Sequence, residues 1–203
     1  MMMIDPMTAW QRLRAGGESS GPLRVTGELA CGTTAAAVFR CADSAVPSTA
    51  VFGQGAGALL DVSTWGHVID TGVLATLEFA VQSLNVPLIV VLGHHDCHAV
   101  RTAQRAWERA DLPDGATRTA VEQVLWSIVR RHAPADSADE VAAAHAIETG
   151  LGLMQRSPII AARVDTRDCA IVCASIGLRD GRLRVHATLG PAGENQDALA
   201  ECV

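Results

Sequence analysis

The sequence predicts an α/β protein with a mostly parallel central sheet flanked by helices and a C-terminal hairpin extending one edge. Three observations lead there. Residues 88–92, Leu-Ile-Val-Val-Leu, form an aliphatic run with β-branched members, the composition of a strand buried on both faces. Before it stands a helical pattern with Val73, Leu74, Leu77, Phe79, Ala80, Val81 and Leu84 on a broad face, fed by a further short strand, which makes a βαβ unit and therefore a parallel sheet. Residues 170–176 and 183–188 alternate as strands do, and Arg179-Asp180-Gly181-Arg182 between them is a hairpin signal.

The elements follow in order. Residues 6–14 open with proline and place Met7, Trp10 and Leu13 at helical spacing until Ala15-Gly16-Gly17 breaks the pattern. A helix this short needs a surface to lie on, either its own domain or a second subunit. Residues 18–32, rich in Gly and Ser, read as a loop. A small apolar strand from Ala35 ends at Cys41. The glycine-rich connection Val51-Phe52-Gly53-Gln54-Gly55-Ala56-Gly57 leads to a short strand over 59–62; no dinucleotide fingerprint follows it, so a Rossmann cofactor is rejected. Thr64-Trp65-Gly66-His67 forms a turn, and Asp70 or Thr71 caps the long helix. A helix over 99–110 ends at Leu112-Pro113-Asp114-Gly115, and another over 120–132 carries Arg130-Arg131-His132 at its negative pole. Ser137 to Glu140 is a capping box before a helix over 141–155, in which His145 has no companion ligand and reads as structural. The tail from Pro191 is expected to be loosely held.

A chain of 203 residues is long enough for one well-buried domain and short for two, so residues 1–203 are read as a single domain, with 1–32 a helix and loop. With 49% apolar but only 3% aromatic residues, its core must be built from small aliphatic side chains. The net charge of −6 and sixteen scattered basic residues, all arginine, argue against nucleic acid as a partner. The absence of lysine excludes Schiff-base chemistry and a lysine nucleophile. No signal-peptide pattern opens the chain and no apolar run is long enough to span a bilayer, so no membrane partner and a cytoplasmic location are expected. A reduced compartment suits the six cysteines: Cys169 and Cys173 share one face of a strand, Cys31 lies in a turn and Cys202 in the tail.

Chemistry concentrates where the central strand ends. After Gly93 come His94, His95, Asp96, Cys97 and His98, at the carboxyl end of a strand, where open α/β sheets build their sites. The His94-x-x-Cys97 spacing lets an imidazole and a thiolate converge on one ion. A third ligand is sought at the other strand end, Cys41-Ala42-Asp43-Ser44.

The Cys-x-Asp-Ser and Gly-His-x-x-Cys elements, about fifty residues of α/β pattern apart, resemble the β-class carbonic anhydrases. The likeness runs from about Pro6 to the final hairpin and takes in Phe52-Gly53-Gln54-Gly55-Ala56-Gly57 and Gly66-His67-Val68. It implies zinc (Zn2+) held by Cys41, His94 and Cys97, and reversible hydration of carbon dioxide, a small-molecule substrate, with the metal activating water. It further implies that Asp43 orients that water, that Gln54 donates a hydrogen bond on the substrate side, that the N-terminal helix packs across a partner with Trp10 a possible anchor, and that the protein is a homodimer or a dimer of dimers.

Three departures fall in the site. Cys41-Ala42-Asp43-Ser44-Ala45 lacks the family's arginine at the fifth position, so Asp43 loses the bidentate partner that would hold it off the metal. The family's Gly-His-Ser-x-Cys-Gly becomes Gly93-His94-His95-Asp96-Cys97-His98, and its Arg-Thr/Asn-Ala-Gly becomes Ser63-Thr64-Trp65-Gly66. Three readings follow. The protein hydrates carbon dioxide with altered or reduced activity, His95, His98 or His67 supplying charge or a proton shuttle. Alternatively, it hydrolyses another small electrophile such as carbonyl sulfide, carbon disulfide or a larger carbonyl compound, or it is a weakly catalytic zinc-stabilised binding or assembly protein. Trp65 is either core filler or a pocket wall, and His95 and His98 face either outward or into the pocket.

Overall fold

A computed structural model of the chain describes residues 5–19, 34–55, 57–177 and 180–192. The elements run α1 (Pro6–Ser19), β1 (Ala36–Cys41), α2 (Ser48–Val51), β2 (Leu59–Thr64), a 3-10 turn (Trp65–His67), α3 (Thr71–Gln82), β3 (Leu88–His94), α4 (His98–Arg109), α5 (Thr117–Arg131), α6 (Ala138–Arg156), α7 (Pro158–Asp165), β4 (Ala170–Ile176) and β5 (Leu183–Leu189). The strands form one five-stranded sheet in the order β2-β1-β3-β4-β5. The first four are mutually parallel and β5 pairs antiparallel with β4, as the hairpin signal requires.

Alternation along the strands sorts side chains to two faces. Ala37, Phe39, Ile89, Val91, Ile171 and Cys173 point to the face covered by α3, α6 and α7. Ala36, Val38, Leu88, Val90, Val172 and Ala174 point to the other, where Trp10 and Leu13 of α1 and Phe52 lie. Trp10 is thus buried on its own domain, at 4% exposure. A third cluster outside the sheet edge joins Cys41 and Cys97 to the small residues of α4 and to Val121, Val124 and Ile128 of α5. Every residue of β3 and β4 is buried, which suits the apolar run of β3, whereas β4, read as alternating, is buried on both faces as well.

Several boundaries differ from the sequence reading. The first helix continues through Gly16 to Ser19 instead of breaking at Ala15. A Cβ on Gly16 would stand within 3.3 Å of the Phe52 carbonyl carbon and closer still to its oxygen, so packing against the end of α2 requires glycine inside this helix and overrides its poor propensity. The helix α3 buries only Val73, Leu77, Ala80 and Val81 among its predicted apolar face; Phe79 and Leu84 are exposed. The Asp70 carboxylate caps it, accepting from the Val73 N–H at 2.8 Å. The short α2 and α7 were not anticipated, although Ser157-Pro158 is an N-cap followed by proline at the first helical position, and the Ser157 hydroxyl accepts from Ile160 N–H at 3.1 Å. The predicted loop beyond Ser19, Cys31, Arg179, and the tail from residue 193 with Cys202 lie outside the described residues.

Candidate metal centre

The sheet delivers the site. In the parallel register Arg40 lies opposite Leu92, so β1 and β3 release Cys41 and His94 at the same carboxyl edge. Thr64 of β2 lies opposite Cys41, which brings the 3-10 turn over the same edge. After His94 the chain reverses through Asp96 at φ 61, and Cys97 becomes the N-cap of α4. The ligand atoms of Cys41, Asp43, His94 and Cys97 all lie within 4.8 Å of one another.

Asp43 is the hub. Its Oδ1 is 2.7 Å from Cys41 Sγ, 2.8 Å from His94 Nε2 and 3.8 Å from Cys97 Sγ. Its Oδ2 accepts from the backbone N–H of His98 at 2.8 Å and lies 3.3 Å from His98 Nδ1. Burial opposes the carboxylate's charge, but the bonds from His94, Cys41 and the His98 N–H outweigh it and hold its pKa well below the usual range. Burial also works against a charged His94, yet Asp43 and Cys41 beside it raise the imidazole to about 9. The contact between the two sulfurs pushes Cys41 up, helped by burial, and Cys97 down.

The donor set fits zinc. A carbonyl only accepts, so His94 Nδ1 carries the hydrogen it gives to His95 O at 2.9 Å, leaving Nε2 free to ligate. Two sulfurs each about 2.3 Å from a tetrahedral zinc stand about 3.8 Å apart by geometry. Cys41 Sγ and Cys97 Sγ are 3.8 Å apart. Two thiolates, an imidazole and a carboxylate are the ligand types this ion takes. Cys41 Sγ also accepts from the Gly66 N–H at 3.1 Å.

Other residues singled out in the sequence are spread around this centre. His98 is 71% exposed at the mouth, touching Asp43. His95 lies beside the centre: Nδ1 pairs with Asp139 at 2.9 Å and Nε2 faces Arg184 at 3.4 Å, in a cavity of about 230 Å³ that His94 also lines, with Ser175 and His186. His67 is buried behind the site, its Nε2 3.1 Å from Leu92 O and its ring edge-on to Phe39; burial, and next the neighbouring His145, push it down to about 3 and keep it neutral. Trp65 is half-buried and packs against the cluster containing both cysteines. Gln54 is not brought to the cluster; its amide donates to Phe52 O at 2.9 Å beside α1. The sequence reading missed the backbone donors of Gly66 and His98 and the bond from His145 Nε2 to Gly66 O, at 2.9 Å. Only the Gly66-His67 pair carried any sequence signal.

A doubly covered, mostly parallel sheet with a cysteine, histidine and aspartate cluster at its carboxyl edge defines an α/β protein with a group that could hold a metal ion. The carbonic anhydrase family model matches residues 36–183. A carbonic anhydrase 2 from Mycobacterium tuberculosis is 40% identical over 205 residues, covering 96% of this chain and 99% of the relative. Among solved structures, a Coccomyxa β-carbonic anhydrase superposes with a TM-score of 0.64 at 20% identity, over 76% of this chain and 73% of its own. A tetrameric β-carbonic anhydrase from Sordaria macrospora gives 0.65 at 20% identity, over 79% of this chain and 85% of its own. The chain belongs to the carbonic anhydrase family, with the β-class fold, and is a carbonic anhydrase-like lyase.

Proposed function

We propose that this protein interconverts carbon dioxide and bicarbonate at a zinc ion held by Cys41, His94 and Cys97. The observation that carries the reading is the convergence of these three ligand atoms with Asp43 within 4.8 Å, in a chain 40% identical to a carbonic anhydrase. Zinc, when bound there, supplies the Lewis acidity that makes water a nucleophile near neutral pH. The chain's own residues do the rest. His94 is locked in one tautomer by His95 O, and the Gly66 N–H steadies the Cys41 thiolate. Asp43, kept ionised, accepts a hydrogen bond from the attacking water or, with Oδ1 already inside the donor set, closes the fourth position. His98 stands where the family has glycine, and its backbone N–H and ring lie against Asp43 Oδ2, at 2.8 and 3.3 Å. The exposed His98 imidazole carries protons to solvent. Gln54, with one amide N–H on Phe52 O, keeps a second for substrate in a neighbouring subunit. A cytoplasmic location goes with this reading, since a reducing compartment would leave Cys41 and Cys97 to the metal and not to each other.

Metal analysis and stopped-flow hydration test the reading. One zinc per chain with measurable carbon dioxide hydration is expected, and Cys97→Ser should lose both metal and stability. A Cys97→Ser protein retaining a full equivalent of tightly bound zinc refutes the ligand set. The replacement of two family arginines by Ala45 and Ser63 favours a second reading, in which the pocket serves another small electrophile. Zinc-loaded protein that ignores carbon dioxide but hydrolyses carbonyl sulfide would establish it. Inactivity toward both, with zinc bound, would leave a zinc-stabilised binding or assembly protein.

A further inference from the structure

His145 stands on α6, far along the chain from the metal centre, yet one hydrogen-bonded path joins them. Its Nε2 is 2.9 Å from Gly66 O, and Gly66 N–H donates to Cys41 Sγ at 3.1 Å. On its other side, Nδ1 lies 2.9 Å from Ser127 Oγ of α5. Because the carbonyl can only accept, Nε2 carries the hydrogen, and Nδ1 is left to accept from the Ser127 hydroxyl, for whose one hydrogen Gln123 O, 3.0 Å from Ser127 Oγ, competes. His145 is 5% exposed, and its ring meets that of His67 edge-on at 5.8 Å. Gly66 has φ 64, ψ 29, a left-handed conformation that glycine adopts freely, and a Cβ there would come 3.0 Å from the Cβ atoms of both Ala99 and Ala120. Three helices therefore hold one residue, α4 and α5 by contact and α6 through its imidazole.

We propose that His145, oriented by Ser127, is a positioning residue for the metal thiolate: it fixes Gly66 so that the Gly66 N–H is aimed at Cys41 Sγ. The inference rests on the zinc-site reading above. An N–H donor withdraws negative charge from a thiolate, and a thiolate that donates less leaves its metal the stronger Lewis acid. An apolar side chain of similar volume would fill the same space without this effect.

Cobalt(II)-substituted full-length protein tests it, since the sulfur-to-cobalt charge-transfer band reports charge on the thiolates. In His145→Leu the band should move to lower energy and the pH profile of hydration should move to the alkaline side. His145→Gln, which restores an N–H donor, should return both toward wild type. A folded, fully loaded His145→Leu protein with the wild-type band overturns the proposal, as does a band that moves equally in both variants. If His145→Leu does not fold, Ser127→Ala decides: a shift in the same direction supports the proposal and an unmoved band overturns it. Cys41→Ser separates the two layers. A band unaltered by Cys41→Ser refutes Cys41 as ligand and the inference with it, whereas a band altered by Cys41→Ser but not by the His145 and Ser127 variants refutes the inference alone.

Discussion

Asp43 owes its position to groups on both carboxylate oxygens, the donor set on one and His98 on the other. With Ala45 exposed and unable to pull the carboxylate outward, hydration by the wild type should be weak near neutral pH and rise in alkali, where hydroxide competes better for the open position. Ala45→Arg supplies a charge-assisted partner and should raise the neutral rate, by roughly tenfold if it weakens Asp43 in the donor set by about 1.4 kcal/mol. Stopped-flow traces of wild type, Ala45→Arg and Asp43→Ala check this. A wild type as fast as its relatives, with no gain from Ala45→Arg, would mean that His98 already does the arginine's work. At this scale, side chains were more legible than backbone. Cys41, Asp43, His94 and Cys97 could be found because thiols, imidazoles and carboxylates at strand ends are unusual. The N–H groups of Gly66 and His98 belong to no residue type, so their direction emerges only once α4 and the 3-10 turn are in place.

Among the elements, α6 shows how closely helix and sheet approach in a core poor in aromatics. A Cβ on Gly150 would lie 2.5 Å from Cys173 Sγ and 3.5 Å from Ile171 Cγ2, so the helix rests on β4 through a bare backbone. Gly150→Ala should destabilise by about 1–3 kcal/mol despite alanine's better helix propensity, and Cys173→Ala in the same chain should recover part of that loss. Denaturant midpoints of the single and double variants measure it. The same principle explains why α1 was read too short. Gly16 looked like a stop, and only its contact with Phe52 shows why a helix passes through it. The strands and long helices were legible from periodicity and caps, whereas the four residues of α2 and the eight of α7 are too short to leave a pattern.

For the molecule as a whole, two buried imidazoles set a sensitivity to acid. His67 is held down to about 3 and His145 is lowered, both mainly by burial, from an ordinary value of 6.5. The unfolded chain therefore binds more protons than the folded one between that ordinary value and the folded ones, and stability that is complete above it falls as pH drops through this window. Each histidine should cost up to about 1.4 kcal/mol per pH unit there. Urea unfolding at about pH 7.5 and about pH 5.5 should show a smaller acid loss for the His67→Gln/His145→Gln double variant than for wild type; equal losses would exclude these residues as the cause. We also propose a homodimer or dimer of dimers, the assembly that the family resemblance of the N-terminal helix and Gln54 implies. Sedimentation over a wide concentration range should show association weakened by deleting residues 1–14, and a strictly monomeric wild type would refute it.

The split of the donor set between β1 and the β3–α4 turn has a kinetic consequence. Asp43 and His94 are 51 positions apart, and β1 and β3 become neighbours only after the chain between them has folded back in a parallel crossover. Such non-local pairing is slow, because loop closure precedes any compensating contact. No early local segment holds three of these ligands, so the ion cannot nucleate the fold as it does in a small zinc finger. A bound ion would be captured late, once the two strand ends meet. During refolding, disappearance of free zinc from a chromophoric chelator should lag behind the first recovery of helical circular dichroism and coincide with the slow step of sheet assembly, which makes the metal a clock for β1–β3 pairing.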